Sequence, residues 1–295
     1  MKKLFCFGLG FSATVLARRL KAEGWTVAGT CRTERKRAHL MAEGIDAHLF
    51  DGSAPPADTG MLAGTTHLLV SVPPGPEGCP VLRQAGPAIR ALVAAEAPAL
   101  TWIGYLSTTG VYGDTGGAEV TEASPLRPTS ARGEHRVAAE AAWRAFGDAA
   151  HVPVQVFRLA GIYGPGRSAL DQVRHGVARR IDKPGHRFSR IHVDDIATVL
   201  LAAMARPPIH AIYNLCDDEA APQADVVAEA CRLLGQAPPP LQSYAEVAPG
   251  MSEMAKSFWR DDRLVSNARL KADLGVTFAH PTYREGLAAV LKAGG

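Results

Sequence analysis

The chain has 295 residues, 47% of them hydrophobic and 21% charged, which fits one large domain or two closely joined ones with a folded core. A net charge of +3 is too small to point to nucleic acid, and no long basic run exists outside residues 32–37. Five cysteines without paired spacing and ten histidines without an H-E-x-x-H exclude a recognisable disulfide framework or metal motif.

Lys3–Phe7 reads as a short buried strand. Gly8-Leu9-Gly10-Phe11-Ser12-Ala13 follows at once, and a helical pattern runs through Val15, Leu16, Ala17 and Leu20. A second strand, Trp25–Cys31, comes next. This is the G-x-G-x-x-A fingerprint of a dinucleotide-binding βαβ unit in its proper context. The first glycine permits the tight turn, and the second lets the backbone approach a pyrophosphate. Ala13 is small enough for the helix to pack on the strand. The helix amino terminus offers N–H groups to phosphate. Gly8, Leu9, Gly10, Phe11 and Ser12 are therefore expected cofactor contacts. The apolar run before Gly8 is too short for a secretory leader, and no stretch approaches a membrane helix, so a cytoplasmic location is expected.

The end of the second strand bears on which cofactor binds. An NAD site usually places an acid there for the ribose hydroxyls. Here the sequence is Gly29-Thr30-Cys31-Arg32-Thr33-Glu34-Arg35-Lys36-Arg37. Arg32 stands where the acid would be, and a guanidinium pairs bidentately with phosphate. NADP(H) is expected over NAD(H), which stays possible, with Arg32 and either Arg35 or Lys36 on the 2′-phosphate. Three successive helical positions cannot share a face, so at least one of residues 35–37 belongs to a solvated helix start.

Strand and helix patterns continue to alternate. Strands are expected at Ala47–Phe50, Thr66–Val72, Leu100–Ser107, Val152–Leu159 and Ile209–Leu215, with helices at 83–97 and 131–146. This implies an α/β fold built on a Rossmann-type, doubly wound parallel sheet. Past residue 216 the pattern becomes helical, near 222–234, 266–273 and 282–292, broken by Ala237-Pro238-Pro239-Pro240. A small, mainly helical C-terminal substrate lobe is expected. The expected division is 1–165 plus 191–217 for the Rossmann part and 166–190 plus 218–295 for the lobe.

Three later segments join the fingerprint. Ser107-Thr108-Thr109-Gly110-Val111-Tyr112-Gly113-Asp114, Arg158-Leu159-Ala160-Gly161-Ile162-Tyr163-Gly164-Pro165-Gly166 and Ile191-His192-Val193-Asp194-Asp195-Ile196-Ala197 stand in order and at suitable spacing. Together they resemble the extended short-chain dehydrogenase/reductases, the NAD-dependent epimerase/dehydratase family, over almost the whole chain. The resemblance implies a Tyr-x-x-x-Lys pair on the helix after the Ser/Thr-bearing strand, with the tyrosine as acid/base. In Pro128–Glu140 the matching positions are Arg132 and Arg136, so the chain resembles the family's atypical members.

That exchange is not conservative. Arginine stays protonated and cannot shuttle a proton near neutrality, but it can bind an anion or stabilise a developing alkoxide. Thr108, Arg132 and Arg136 are the expected catalytic residues, and Arg136 can also bond the cofactor ribose. The spacing of Arg136 and Glu140 equally suits a surface ion pair. The resemblance further implies Asp51 near the adenine, Ser71, Val72 and Pro73 along the adenosine side, and Ile162 near the nicotinamide. Tyr163, Arg190 and His192 are expected at the substrate, which the basic residues suggest is anionic. An enzyme is expected, either an NADP(H)-dependent oxidoreductase or an epimerase/dehydratase of atypical mechanism. A non-catalytic redox sensor is the alternative. A homodimer through the helices at 83–97 and 131–146 is also implied.

Overall fold

The computed structural model describes residues 2–94, 100–206 and 211–294. Parts of two expected elements, residues 95–97 of one helix and 209–210 of one strand, lie outside the described residues. The strands are β1 (Lys3–Phe7), β2 (Thr26–Cys31), β3 (Asp46–Leu49), β4 (His67–Val70), β5 (Trp102–Thr108), β6 (Glu119–Val120), β7 (Val154–Leu159), β8 (Gly161–Tyr163), β9 (Arg180–Asp182), β10 (Arg190–His192), β11 (Ala211–Leu215), β12 (Leu241–Ser243) and β13 (Leu264–Val265). The first six helices are α1 (Phe11–Ala22), α2 (Glu34–Ala42), α3 (Pro80–Val93), α4 (Ala131–Ala150), α5 (Ala169–Arg174) and α6 (Val193–Ala205). The others are α7 (Gln223–Leu233), α8 (Tyr244–Val247), α9 (Glu253–Arg260), α10 (Ala268–Leu274) and α11 (Tyr283–Lys292).

Seven strands form one sheet in the order β11-β7-β5-β4-β1-β2-β3. The pairings of β1 with β2 and β4, of β2 with β3 and of β4 with β5 are all parallel. The chain runs outward from β1 to β3 and returns to the other side of β1 as β4. The carboxyl ends of β1 and β4 therefore flank the switch point where such folds bind ligands. β4, β5 and β7 are buried almost throughout, as strands covered on both faces must be. Phe5, Phe7, Leu68, Val70, Ile103, Tyr105 and Trp143 belong to its core. At Gly104 a Cβ would stand 2.2 Å from the Trp102 ring, so glycine is required where that ring lies across β5.

Contacts divide the chain into two units. One is Met1–Thr108, Ala131–Arg158 and Ala197–Tyr213; the other is Thr109–Ser130, Leu159–Ile196 and Asn214–Gly295. These boundaries differ from the sequence expectation chiefly by placing Thr109–Ser130, Leu159–Pro165 and the segment around His192 in the second unit. Short parallel pairings carry those segments there. β8 pairs with β10, β9 with β12 and β6 with β13, linking residues far apart in the chain. The second unit is thus a set of three two-stranded ribbons as well as helices. Leu170, Val227, Tyr283, Leu287 and Val290 pack together where α5, α7 and α11 meet. Capping boxes at Ser168/Asp171 and Thr282/Glu285 start α5 and α11 by satisfying their first N–H groups.

Candidate functional site

The glycine loop is fixed from beneath. Gly8 has φ +92°, and a Cβ there would meet Val72 at 3.2 Å. Its N–H donates to Thr30 Oγ1 (2.9 Å), and the Leu9 N–H donates to Thr30 O (2.7 Å). Under the loop, a Cβ on Gly29 would lie 2.5 Å from Cys6 O and 2.9 Å from the Leu9 side chain. Gly10 differs. It is exposed, and the nearest atom to a Cβ there is Gly8 O at 4.0 Å. A phosphate can therefore approach the backbone at Gly10. Gly10 is also the N-cap of α1, with no side-chain cap and no acid in the first turn, so the helix's positive end is not internally compensated. Ser12 and Ala13 are buried against the sheet. This cradle fits a dinucleotide pyrophosphate.

Arg32 is exposed immediately after buried Cys31 at the end of β2. Thr33 caps α2 by accepting the Lys36 N–H (3.3 Å). Arg37 pairs with Glu34 and so is the helix-start charge among the three. Arg35 is exposed and Lys36 half-buried. Asp51 is exposed and accepts from Ser53 N (2.9 Å) and Ser53 Oγ (2.6 Å), which hold its carboxyl below the usual range. Ser71 and Val72 are half-buried and Pro73 exposed at the end of β4, with the Ser71 N–H on Phe7 O (2.8 Å).

The residues expected to be catalytic also lie in the sheet unit. Thr108 ends β5 and is half-buried; Arg132 is exposed in the first turn of α4. Arg136 turns toward β5. Its Nη1 donates to Leu106 O (2.5 Å) and reaches Tyr105 Oη (3.4 Å), with the guanidinium 5.9 Å from the Tyr105 ring. It does not form the surface pair with Glu140 that the sequence spacing allowed. Glu140 points inward, 3% exposed, and binds Arg158 and Ser107. Arg158 Nη2 and Nε donate to Glu140 Oε2 at 2.8 and 3.2 Å, and Ser107 Oγ donates to Oε1 at 2.5 Å. This buried triad joins α4, β5 and β7, and its Ser107 immediately precedes Thr108. Sequence reasoning missed it, although Ser107 and Arg158 both open segments that had been singled out.

The expected substrate residues belong to the second unit. β8 and β10 set His192 opposite Tyr163 and Arg190 opposite Gly161, and Ile162 lies between on β8. Tyr163 is packed. Its hydroxyl donates to Thr282 O (3.4 Å), and a Cβ on Gly286 would fall 1.9 Å from that hydroxyl. Burial pushes its pKa up. Arg190 donates from both Nη atoms to Ala221 O (3.2 Å each). His192 is 2% exposed, stands edge-on to Tyr163 and accepts the Asp194 N–H at Nδ1 (3.2 Å). Nearby Asp217 is 5% exposed, with Oδ2 lacking a hydrogen-bond partner among the described residues. Burial pushes its carboxyl up to about 8 despite the Arg190 charge.

Known proteins agree with this architecture. The model of the NAD dependent epimerase/dehydratase family matches residues 88–216. A conserved protein of unknown function from Silicibacter pomeroyi DSS is 45% identical, covers 99% of each chain and superposes with a TM-score of 0.90. Over residues 88–216 the chain is similar to the NAD-dependent epimerase/dehydratase family. Protein YeeZ of Escherichia coli K12 is 26% identical over 95% of this chain and 97% of its own. The UDP-glucuronic acid 4-epimerase of Bacillus cereus, solved with UDP-glucuronic acid and NAD, is 17% identical with a TM-score of 0.75 over 99% of both chains, a likeness of fold. Inside the segment that the family model matches, the chain carries arginines at 132 and 136, on one face of α4.

Proposed function

We propose that this chain is an NADP(H)-dependent enzyme of the family, an oxidoreductase or epimerase/dehydratase-like catalyst that works without a tyrosine acid/base. The carrying observation is the open glycine cradle at Gly8–Ser12 joined to a strand end that presents Arg32 instead of an acid. Gly10 and the first turn of α1 would hold the pyrophosphate, and Ser71, Val72 and Asp51 would border the adenosine. Arg32, with Arg35 or Lys36, would hold the 2′-phosphate. Arg37 is instead paired with Glu34. When bound, the nicotinamide supplies a hydride donor or acceptor.

The protein's own contribution is electrostatic. The Thr108 hydroxyl would hydrogen-bond the substrate oxygen. Arg136, pinned to the Leu106 carbonyl two residues earlier, holds a permanent positive charge near the end of β5 for a developing alkoxide. Arg132 stands one turn earlier, where it can meet an anionic substrate group. Neither arginine accepts a proton at neutral pH, so proton transfer falls to the substrate or to water. In the same reading the chain forms a homodimer through α3 and α4, where Leu82, Gly86, Ala91, Ala142 and Phe146 line an apolar hollow, and light scattering would give twice the chain mass.

The commitment of Arg136 to backbone also favours a second reading, a binding protein that senses NADP(H) without turnover. Calorimetric titration with NADPH, NADP⁺, NADH and NAD⁺, repeated on Arg32→Ala, tests the cofactor claim. Micromolar NADPH binding that weakens at least tenfold in the variant is expected. No binding to any of the four rejects both readings. Hydride transfer from bound NADPH to any of a panel of carbonyl compounds rejects the sensor.

A further inference from the structure

We propose that His192, Asp194 and His280 form a binding site for a borderline divalent metal ion such as Zn²⁺ or Co²⁺, with Asp195 positioning one of the two imidazoles. The ligating atoms of the three side chains lie within 4.8 Å of one another. His192 Nδ1 is 3.7 Å from Asp194 Oδ2. The two imidazole rings are 3.9 Å apart, centroid to centroid, inclined at 40°. Two ligands bound tetrahedrally to one ion at about 2.1 Å are roughly 3.4 Å apart. The His192–Asp194 pair is near that spacing already, and no pair of ligating atoms has more than about 1.4 Å to close.

His280 is held as metal-binding histidines usually are. Its Nδ1 lies 2.9 Å from Asp195 Oδ2. The Asp195 carboxylate is 1% exposed and also accepts the backbone N–H groups of Ala279 (2.8 Å) and His280 (3.1 Å). An acid fixed in this way places the ring proton on Nδ1 and leaves the Nε2 lone pair for an ion. A carboxylate behind a ligating imidazole serves that purpose in metalloproteins. His192 forms a buried wall, whereas the Asp194 side chain is 40% exposed. Three protein ligands and one open side suit an ion that keeps a water or takes an exogenous ligand. The donor set, two imidazoles and one carboxylate, favours Zn²⁺, Co²⁺, Ni²⁺ or Cu²⁺ over Mg²⁺ and Ca²⁺. Binding at His192 Nδ1 displaces the Asp194 N–H that now donates there, and in the first turn of α6 that group can turn to solvent. The Tyr163 ring stands edge-on to His192 at 5.2 Å, and Arg190 lies two residues before His192 on β10. No sequence motif announces the site, since the second imidazole comes from the loop before α11.

The test uses the full chain, stripped with chelator and titrated with CoCl₂, ZnCl₂ and MgCl₂. One equivalent of Co²⁺ should bind with a visible ligand-field spectrum, Zn²⁺ should displace it, and Mg²⁺ should not compete. His280→Gln and Asp194→Asn should each weaken Co²⁺ binding more than tenfold while circular dichroism stays native. Asp195→Asn should cost 10–100-fold, the usual loss on removing such a supporting carboxylate. His39→Gln, at a surface histidine paired with Glu43, should change nothing. Absence of Co²⁺ and Zn²⁺ binding, or binding unchanged in both His280→Gln and Asp194→Asn, overturns the proposal.

Discussion

Glu140→Gln should destabilise the protein far more than an ordinary helix substitution. The carboxylate is 3% exposed and Arg158 2%, so the change leaves a buried guanidinium without its counter-charge. Breaking a buried pair on one side costs about 3–5 kcal/mol. Unfolding entropy of about 2.1 cal/mol/K per residue gives roughly 0.6 kcal/mol/K for a chain of this length, so Tm should fall by about 5–8 °C. Scanning calorimetry at neutral pH measures that shift. The reasoning also predicts its own rescue. Ser107→Ala/Glu140→Met/Arg158→Met removes every member of the triad together and avoids the orphaned charge, so it should lie within about 2 °C of the parent. A single-variant shift below 2 °C, or a triple variant no better than the single one, would refute the account.

Two further predictions concern pH. His67 is 7% exposed between the Trp25 and Trp102 rings, and burial with the Lys2 charge depresses it from 6.5 to about 4. Its neutral form is the folded one, so stability worth roughly 3 kcal/mol is present above pH 6.5 and lost as pH falls toward 4. His67→Phe should flatten that limb of the Tm–pH curve, and superimposable acid limbs would dismiss the idea. Asp217 runs the other way. Its pKa is raised from 3.8 to about 8, so stability is full below pH 3.8 and declines as pH rises to 8. Asp217→Asn should therefore gain several degrees in Tm over the parent at pH 8.5 and little at pH 4.5. Equal gains at both pH values would show that Asp217 is not the titrating group.

The sheet was legible because its strands are short apolar runs separated by turn residues, and the glycine loop fixed where the first helix began. Boundaries moved by a few residues, as when the strand expected at Thr66–Val72 became His67–Val70. The ribbons β6–β13, β8–β10 and β9–β12 were not legible. They are two or three residues long, too short for a period, and each partner lies many residues away. At the candidate site, the place of the glycine loop could be read because consecutive residues build it. The direction of Glu140 could not. A helix spacing that serves a surface pair with Arg136 serves inward pairing with Arg158 equally well, and only the position of β7 decides. Likewise Asp195 and His280 meet only because the loop before α11 returns to the start of α6.

The anchoring of the glycine loop has a consequence for how this protein can change. Thr30 and Gly29, on β2, set where Gly8 and Leu9 sit, through hydrogen bonds and a missing side chain. Two and five residues beyond Thr30, Arg32 and Arg35 are exposed and take no part in that clamp. Under the proposed function, holding a nucleotide's phosphates and choosing between two nucleotides would be mechanically separate tasks on neighbouring residues. The selecting segment can be exchanged by a few surface substitutions while the grip stays intact, whereas any side chain at Gly29 disturbs both.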